Sequence, residues 1–103
     1  MKLPRKVLIA SHPWKVIRNK GGGGTFVGQD REIDIGTNGI DEEQHEWFLH
    51  EVCEAILSEN MLRYQLPYTS PDNGSYRFVF THQEFETQFV KQLAAVIWQM
   101  KGK

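Results

Sequence analysis

A chain of 103 residues with 40% hydrophobic and 24% charged residues has ordinary globular composition, which excludes a fibrous repeat and an intrinsically disordered segment. The net charge of −1 hides a division: residues 1–28 hold six basic residues and no acid, and residues 29–60 hold ten acids against Arg31 alone. Basic strands beside an acidic helix explain that division without a nucleic-acid partner, since the total charge is slightly negative and no nucleic-acid-binding motif is visible.

Val7-Leu8-Ile9-Ala10 is a short β-branched run, and Trp14-Lys15-Val16-Ile17-Arg18 alternates loosely, with His12-Pro13 expected at the bend between them. Gly21 to Gly24 lacks the Gly-Lys-Ser/Thr of a phosphate loop and leads into a strand-like Thr25-Phe26-Val27, so it is expected to connect two antiparallel strands. Arg31-Glu32-Ile33-Asp34-Ile35-Gly36 alternates at period two and is the clearest strand, with Ile33 and Ile35 facing the core. A helix follows over 41–59. Asp41 is its expected N-cap, with Gln44 completing a capping box, and Glu42, Glu43 and Glu46 suit the positive end of the helix dipole. Phe48, Leu49, Val52, Ala55 and Ile56 form its apolar stripe, which leaves Trp47, His50, Glu51 and Glu54 on the other face.

Strand signals return at Leu62 to Leu66 and Tyr76 to Phe80, around the turn chemistry of Pro71-Asp72-Asn73-Gly74. Thr81-x-x-Glu84 is a second capping box, and the pattern through Phe85, Phe89, Leu93, Val96, Ile97 and Met100 predicts a core helix over 82–101. The fold class is α+β: a small antiparallel sheet, formed mainly before residue 36, packed against a motif-bearing helix and a C-terminal helix in one domain, 1–103. Cys53, the only cysteine, excludes an internal disulfide and fits a reducing compartment. No apolar run reaches the ~18 residues of a membrane span, and the apolar stretch after Lys6 is too short for a signal peptide. A cytoplasmic protein with no membrane partner is expected.

The chemistry concentrates in Leu49-His50-Glu51-Val52-Cys53-Glu54-Ala55. On a helix, His50 and Glu54 lie one turn apart on the same side, and Glu51 lies next to them. An imidazole and a carboxylate at that spacing can hold a metal while a second carboxylate takes a proton from bound water. A zinc site needs a third protein ligand. His82 opens the next helix and could supply it if the two helices pack together, with Glu84 or Glu86 as alternatives. The plainer possibility is that His50 and Glu54 are an ordinary i,i+4 pair on a solvated face. His45-Glu46 with His50 spells a further His-Glu-x-x-x-His pattern, whose spacing needs a distorted helix. His12 is expected to be a turn residue, and Cys53 a small buried hydrophobe.

The strand 31–36, the phrase Phe48-Leu49-His50-Glu51-Val52-Cys53-Glu54-Ala55-Ile56, and the phrase Phe80-Thr81-His82-Gln83-Glu84-Phe85 together resemble the small gluzincin-type metallopeptidase domains, ImmA/IrrE-like and prophage-associated. The resemblance implies Zn2+ held by His50, Glu54 and His82, with Glu51 as general base and a peptide or protein as substrate. The motif departs from His-Glu-x-x-His in carrying Glu54 at its last position. An anionic ligand makes zinc a weaker Lewis acid, so peptide hydrolysis is less strongly implied than metal binding. A catalytically inactive interaction or regulatory module of phage origin on the same fold is the first alternative, and a small nucleic-acid-binding domain using the basic N-terminal part, Trp14 and the glycine run is the second, lower-ranked one.

Overall fold

The computed structural model describes residues 3–65 and 76–101. Four strands, β1 (Lys6–Ile9), β2 (His12–Asn19), β3 (Gly24–Val27) and β4 (Glu32–Gly36), precede helix α1 (Asp41–Glu59). A short pair, β5 (Arg63–Gln65) and β6 (Tyr76–Phe78), leads to α2 (His82–Glu84), a π-helical stretch at Phe85–Val90 and α3 (Lys91–Lys101). The α+β class is as the sequence indicates. The turn chemistry of Pro71 to Gly74 lies outside the described residues.

The sheet is mixed rather than antiparallel, with strand order β1-β2-β4-β3 and a parallel pairing of β2 with β4. The glycine run is the reason. It does not fold β3 back onto β2 but carries the chain across the end of β4, which slots between them. Gly36 N–H donates to the Gly23 carbonyl and Asn38 N–H to the Gly21 carbonyl, both at 2.9 Å. A Cβ on Gly36 would stand 2.1 Å from the Gly21 oxygen, so only a glycine lets the two backbones approach this closely.

The bend between β1 and β2 also differs from expectation. Ala10 and Ser11 make it, both left-handed (φ 52° and 67°), which is the geometry of a two-residue hairpin turn matched to strand twist. Neither residue is the Asn or Gly that usually marks such a turn. His12 is therefore the first residue of β2, opposite Ile9, and its Nδ1 lies 3.3 Å from the Glu59 carboxylate at the end of α1. Arg31 Nε also meets Glu59, at 2.6 Å. Part of the charge division in the sequence is thus neutralised between sheet and helix.

One face of the sheet is buried. Val7, Ile9, Trp14, Val16, Ile33 and Ile35 meet Phe48, Val52, Ala55 and Ile56 of α1 and Val96 and Met100 of α3. Alternation puts Leu8, Lys15 and Ile17 on the open face. Helix α1 lies on β3 and β4 while α3 lies on β1. The start of α1 is shifted by one residue from its expected place. Ile40 is the N-cap and Asp41 is already helical; the Glu43 carboxylate accepts the Ile40 N–H at 3.0 Å. Gln44 reaches back instead, donating to the Gly39 carbonyl at 2.7 Å. The second capping box is present as expected: Thr81 Oγ1 accepts the Glu84 N–H at 3.1 Å, and Glu84 Oε1 accepts the Thr81 N–H at 2.7 Å.

The C-terminal helix is less buried than its composition suggests. Val96 and Met100 are buried and Phe89 and Leu93 lean on the core, but Ile97 and Trp98 stand in solvent. The π-helical turns re-phase the apolar stripe. Phe85 and Phe89 stack instead with Phe80, at centroid distances of 5.9 and 6.4 Å.

Candidate functional site

The middle of α1 presents three ionisable groups from adjacent turns. His50 is exposed, and its Nε2 lies 3.8 Å from Glu51 Oε2 and 3.8 Å from Glu54 Oε2. The helical spacing alone dictates the His50–Glu54 approach. Glu51 is not on the solvated face that the helical wheel suggested. It is 6% exposed, turned toward β3.

Gly24 makes that possible. A Cβ at Gly24 would come within 3.0 Å of both Glu51 Cγ and Ile35 Cδ1, so the missing side chain is the notch into which Glu51 fits. Removal from water disfavours the charged carboxylate and raises the Glu51 pKa above its ordinary value. His50 opposes that rise, Glu54 adds to it, and Arg63 opposes it. The result is a carboxyl group with increased proton affinity beside an imidazole.

Arg63 had no place in the sequence reading of the site. The first residue of β5, it brings its Nε to 3.8 Å from Glu54 Oε1, while its guanidinium lies 4.8 Å over the Phe26 ring of β3. Glu54 is thereby flanked, with one oxygen toward His50 and the other toward Arg63. Nothing in the spacing of a short strand after the helix signals this contact, which depends on the chain turning back past α1 at Asn60 and Met61. Cys53 is half-buried; burial first, then the neighbouring Glu54, pushes its thiol pKa up. A raised pKa lowers the fraction of thiolate, the nucleophilic form.

Two shallow cavities meet at His50. One of about 290 Å³ is lined by Gly24, Glu46, Trp47, His50 and Glu51. The other, about 320 Å³, has apolar walls from Leu49, Leu57 and Phe78, with His50, Cys53 and Glu54 along one side. Glu51 therefore serves one cavity and Glu54 the other.

The remaining candidates sit elsewhere in the contact pattern. His82 is exposed, with its Nε2 3.5 Å from Glu86 Oε1, and Glu84 is engaged in the Thr81 cap. His45 directs Nδ1 to the Asp41 carbonyl at 2.7 Å. Among the described residues, no group of three or more His, Cys, Asp or Glu side chains is arranged to hold a metal ion. His50 and Glu54 offer two donors of the right chemistry, and the third donor that a zinc site requires is not assembled with them.

Also among the described residues, no helix is long and apolar enough to cross a membrane. Compared with protein-family models, curated proteins and solved structures, the chain matches none.

Proposed function

We propose that the chain is a zinc-binding, metallopeptidase-like protein of the small gluzincin type, with the middle of α1 as its working surface and a peptide as its substrate. The observation that carries this reading is Glu51: a carboxyl held in the Gly24 notch, with raised proton affinity, 3.8 Å from His50 and open to a cavity. A buried carboxylate without such a task would be a poor choice for a helix that packs on a sheet.

In this reading His50 and Glu54 would hold zinc and His82, with Glu84 or Glu86 as alternatives, would complete the set. Zinc, when bound, supplies charge that polarises a carbonyl and acidifies a water. Glu51 would take a proton from a water and give it to the leaving amine, a task suited to a carboxyl whose pKa lies above the ordinary range. Arg63 holds Glu54 from the side opposite His50.

The contact pattern of His82 favours a second reading, a non-catalytic interaction module on the same fold. His82 faces Glu86 rather than the His50–Glu54 pair. Zinc content, melting temperature and cleavage of a peptide library, measured on wild type, Glu51→Gln, Glu54→Gln and His82→Ala, separate the two. The peptidase reading expects one zinc per chain, its loss in His82→Ala, and retention in Glu51→Gln with turnover down ~10²-fold or more. Full zinc without cleavage assigns the interaction module. No zinc before or after its addition reduces His50 and Glu54 to a surface pair.

A further inference from the structure

The opposite margin of the sheet carries an arrangement that the α1 site does not use. β1 is an edge strand, and an edge strand turns unpaired N–H and C=O groups outward. Lys6 and Leu8 carry the outward pairs of β1, and at Leu8 a single side chain takes both groups. Leu8 N–H donates to Gln99 Oε1 at 2.8 Å, and Gln99 Nε2 donates to the Leu8 carbonyl at 3.0 Å. A primary amide placed this way makes the two bonds that one residue of an antiparallel neighbouring strand would make with its own N–H and C=O.

Space lies on both sides of that amide. A groove of about 810 Å³ runs between β1 and α3, walled by Leu8, Ala94, Ala95 and Trp98, and a smaller one of about 310 Å³ continues past Gln99 along Val7 and Lys6. Leu8 is 50% and Trp98 71% exposed. An aromatic and an aliphatic side chain standing in water on either side of a groove of alanines form a patch rather than scattered exposure.

Among the described residues, the charged side chains that line or border the groove are lysines. Lys91 lines it, Lys6 lies at its far end, and Lys101 rests its Nζ 4.7 Å over the Trp98 ring. Neither β1 nor α3 contains an acid.

We propose that the β1 edge and the adjoining face of α3 form a docking groove for an extended, acidic segment of another protein, whose backbone takes the place of the Gln99 amide on Leu8 and whose apolar side chain packs between Leu8 and Trp98. Added strands of this kind draw affinity from main-chain hydrogen bonds and specificity from side-chain pockets. A second copy of the chain suits the groove poorly, because a symmetric pairing would set the lysine-bordered patch against itself. A nucleic acid suits the cations but leaves the alanine wall and the peptide-like bonding pair of Leu8 without a role. This inference does not depend on zinc or on catalysis at α1.

The probe is an acetylated, amidated peptide of about seven residues alternating aspartate with valine and leucine, titrated into the 15N-labelled full chain. Its controls are the same peptide with lysine for aspartate and an oligothymidylate of equal length. The Leu8 amide and the Trp98 indole should shift with the acidic peptide. Binding should be at least tenfold weaker for the lysine peptide, and should weaken as salt rises and the Debye length shrinks from ~10 Å toward ~3 Å. The double variant Lys91→Glu, Lys101→Glu and the single variant Trp98→Ala should each lose about tenfold.

Gln99→Ala is the decisive variant. It removes the internal competitor and should tighten peptide binding about threefold, whereas an amide that only props α3 against β1 would leave binding unchanged or weaker. Absence of shifts at Leu8 and Trp98, an equal response to both peptides, tighter binding of the oligothymidylate, or concentration-dependent self-association through these residues would each overturn the proposal.

Discussion

Helix α1 and the C-terminal helix α3 invert what their compositions suggest. α1 carries Asp41, Glu42, Glu43, Glu46, Glu51, Glu54 and Glu59, yet it buries Phe48, Val52, Ala55, Ile56, Leu57 and even Glu51. α3 has no acid and is more apolar, yet only Val96 and Met100 are buried, while Ile97 and Trp98 face water. Position on the sheet accounts for the contrast. α1 lies across β3 and β4, beside the fully buried Ile33 and Ile35, and α3 lies over the β1 margin. α1 also touches β1, β5 and the C-terminal helix, and a helix packed by several elements at once buries a wider stripe than one resting mainly on a single edge strand. The two helices also differ in what they leave over: α1 a carboxyl held partly out of water, α3 an uncovered apolar groove.

The sharpest way to break this contrast is to truncate one large side chain on each helix. Phe48→Ala, at a fully buried position, should destabilise by about 3–5 kcal/mol in urea denaturation, and Ile97→Ala by well under 1 kcal/mol. Equal effects would mean that α3 is as much a core helix as α1. A second test addresses the crossing that inserts β4 into the sheet. Gly36→Ala sets a Cβ against the Gly21 backbone and should lower stability by about 1–3 kcal/mol. Gly24→Ala meets only side chains, those of Glu51 and Ile35, and should be milder in the same measurement.

The third test concerns the buried carboxyl in the metal-free protein. Because burial raises the Glu51 pKa in the folded chain, the unfolded chain releases that proton first as pH rises. Stability from this group is therefore present below the ordinary carboxylate range, at about pH 3.5, and declines as pH rises from 4.5 through the folded-state value. Glu51→Gln should remove that decline. Its melting temperature should match wild type at low pH and exceed it by a few degrees at pH 8, and an unchanged gap across that range would show that Glu51 is better solvated than its position implies. The smallest effect is expected at the groove. Trp98→Ala should change stability by no more than about 0.5 kcal/mol, because its ring rests mainly on Lys101 and solvent.

Much of the fold is legible along the chain because it rests on local patterns. Period-two alternation locates β4 and puts Ile33 and Ile35 inside. Helical spacing places α1 at 41–59, and the Thr81–Glu84 box marks where the next helix begins. The i,i+4 geometry of a helix brings His50 to Glu54 with no help from the rest of the molecule.

What the sequence could not convey is every feature that depends on segments meeting across the fold. The parallel pairing of β2 with β4 arises because the glycine run crosses a strand that comes later in the chain, and period-two patterns carry no strand order. The turn at Ala10–Ser11 uses left-handed residues without glycine or asparagine, so no turn chemistry announces it. The one-residue shift at the start of α1 reflects competition between adjacent side chains: Glu43 takes the Ile40 N–H, and Gln44 is drawn to the Gly39 carbonyl and to Arg18.

At the candidate site the same division holds. The sequence by itself determined which ionisable groups share the middle of α1, because a helix sets its neighbours at fixed intervals. Only the tertiary structure decided their environments. It turns Glu51 into the Gly24 notch, sets Arg63 beside Glu54 and pairs His82 with Glu86, since burial and charge pairing depend on which surfaces the packed sheet and helices bring together.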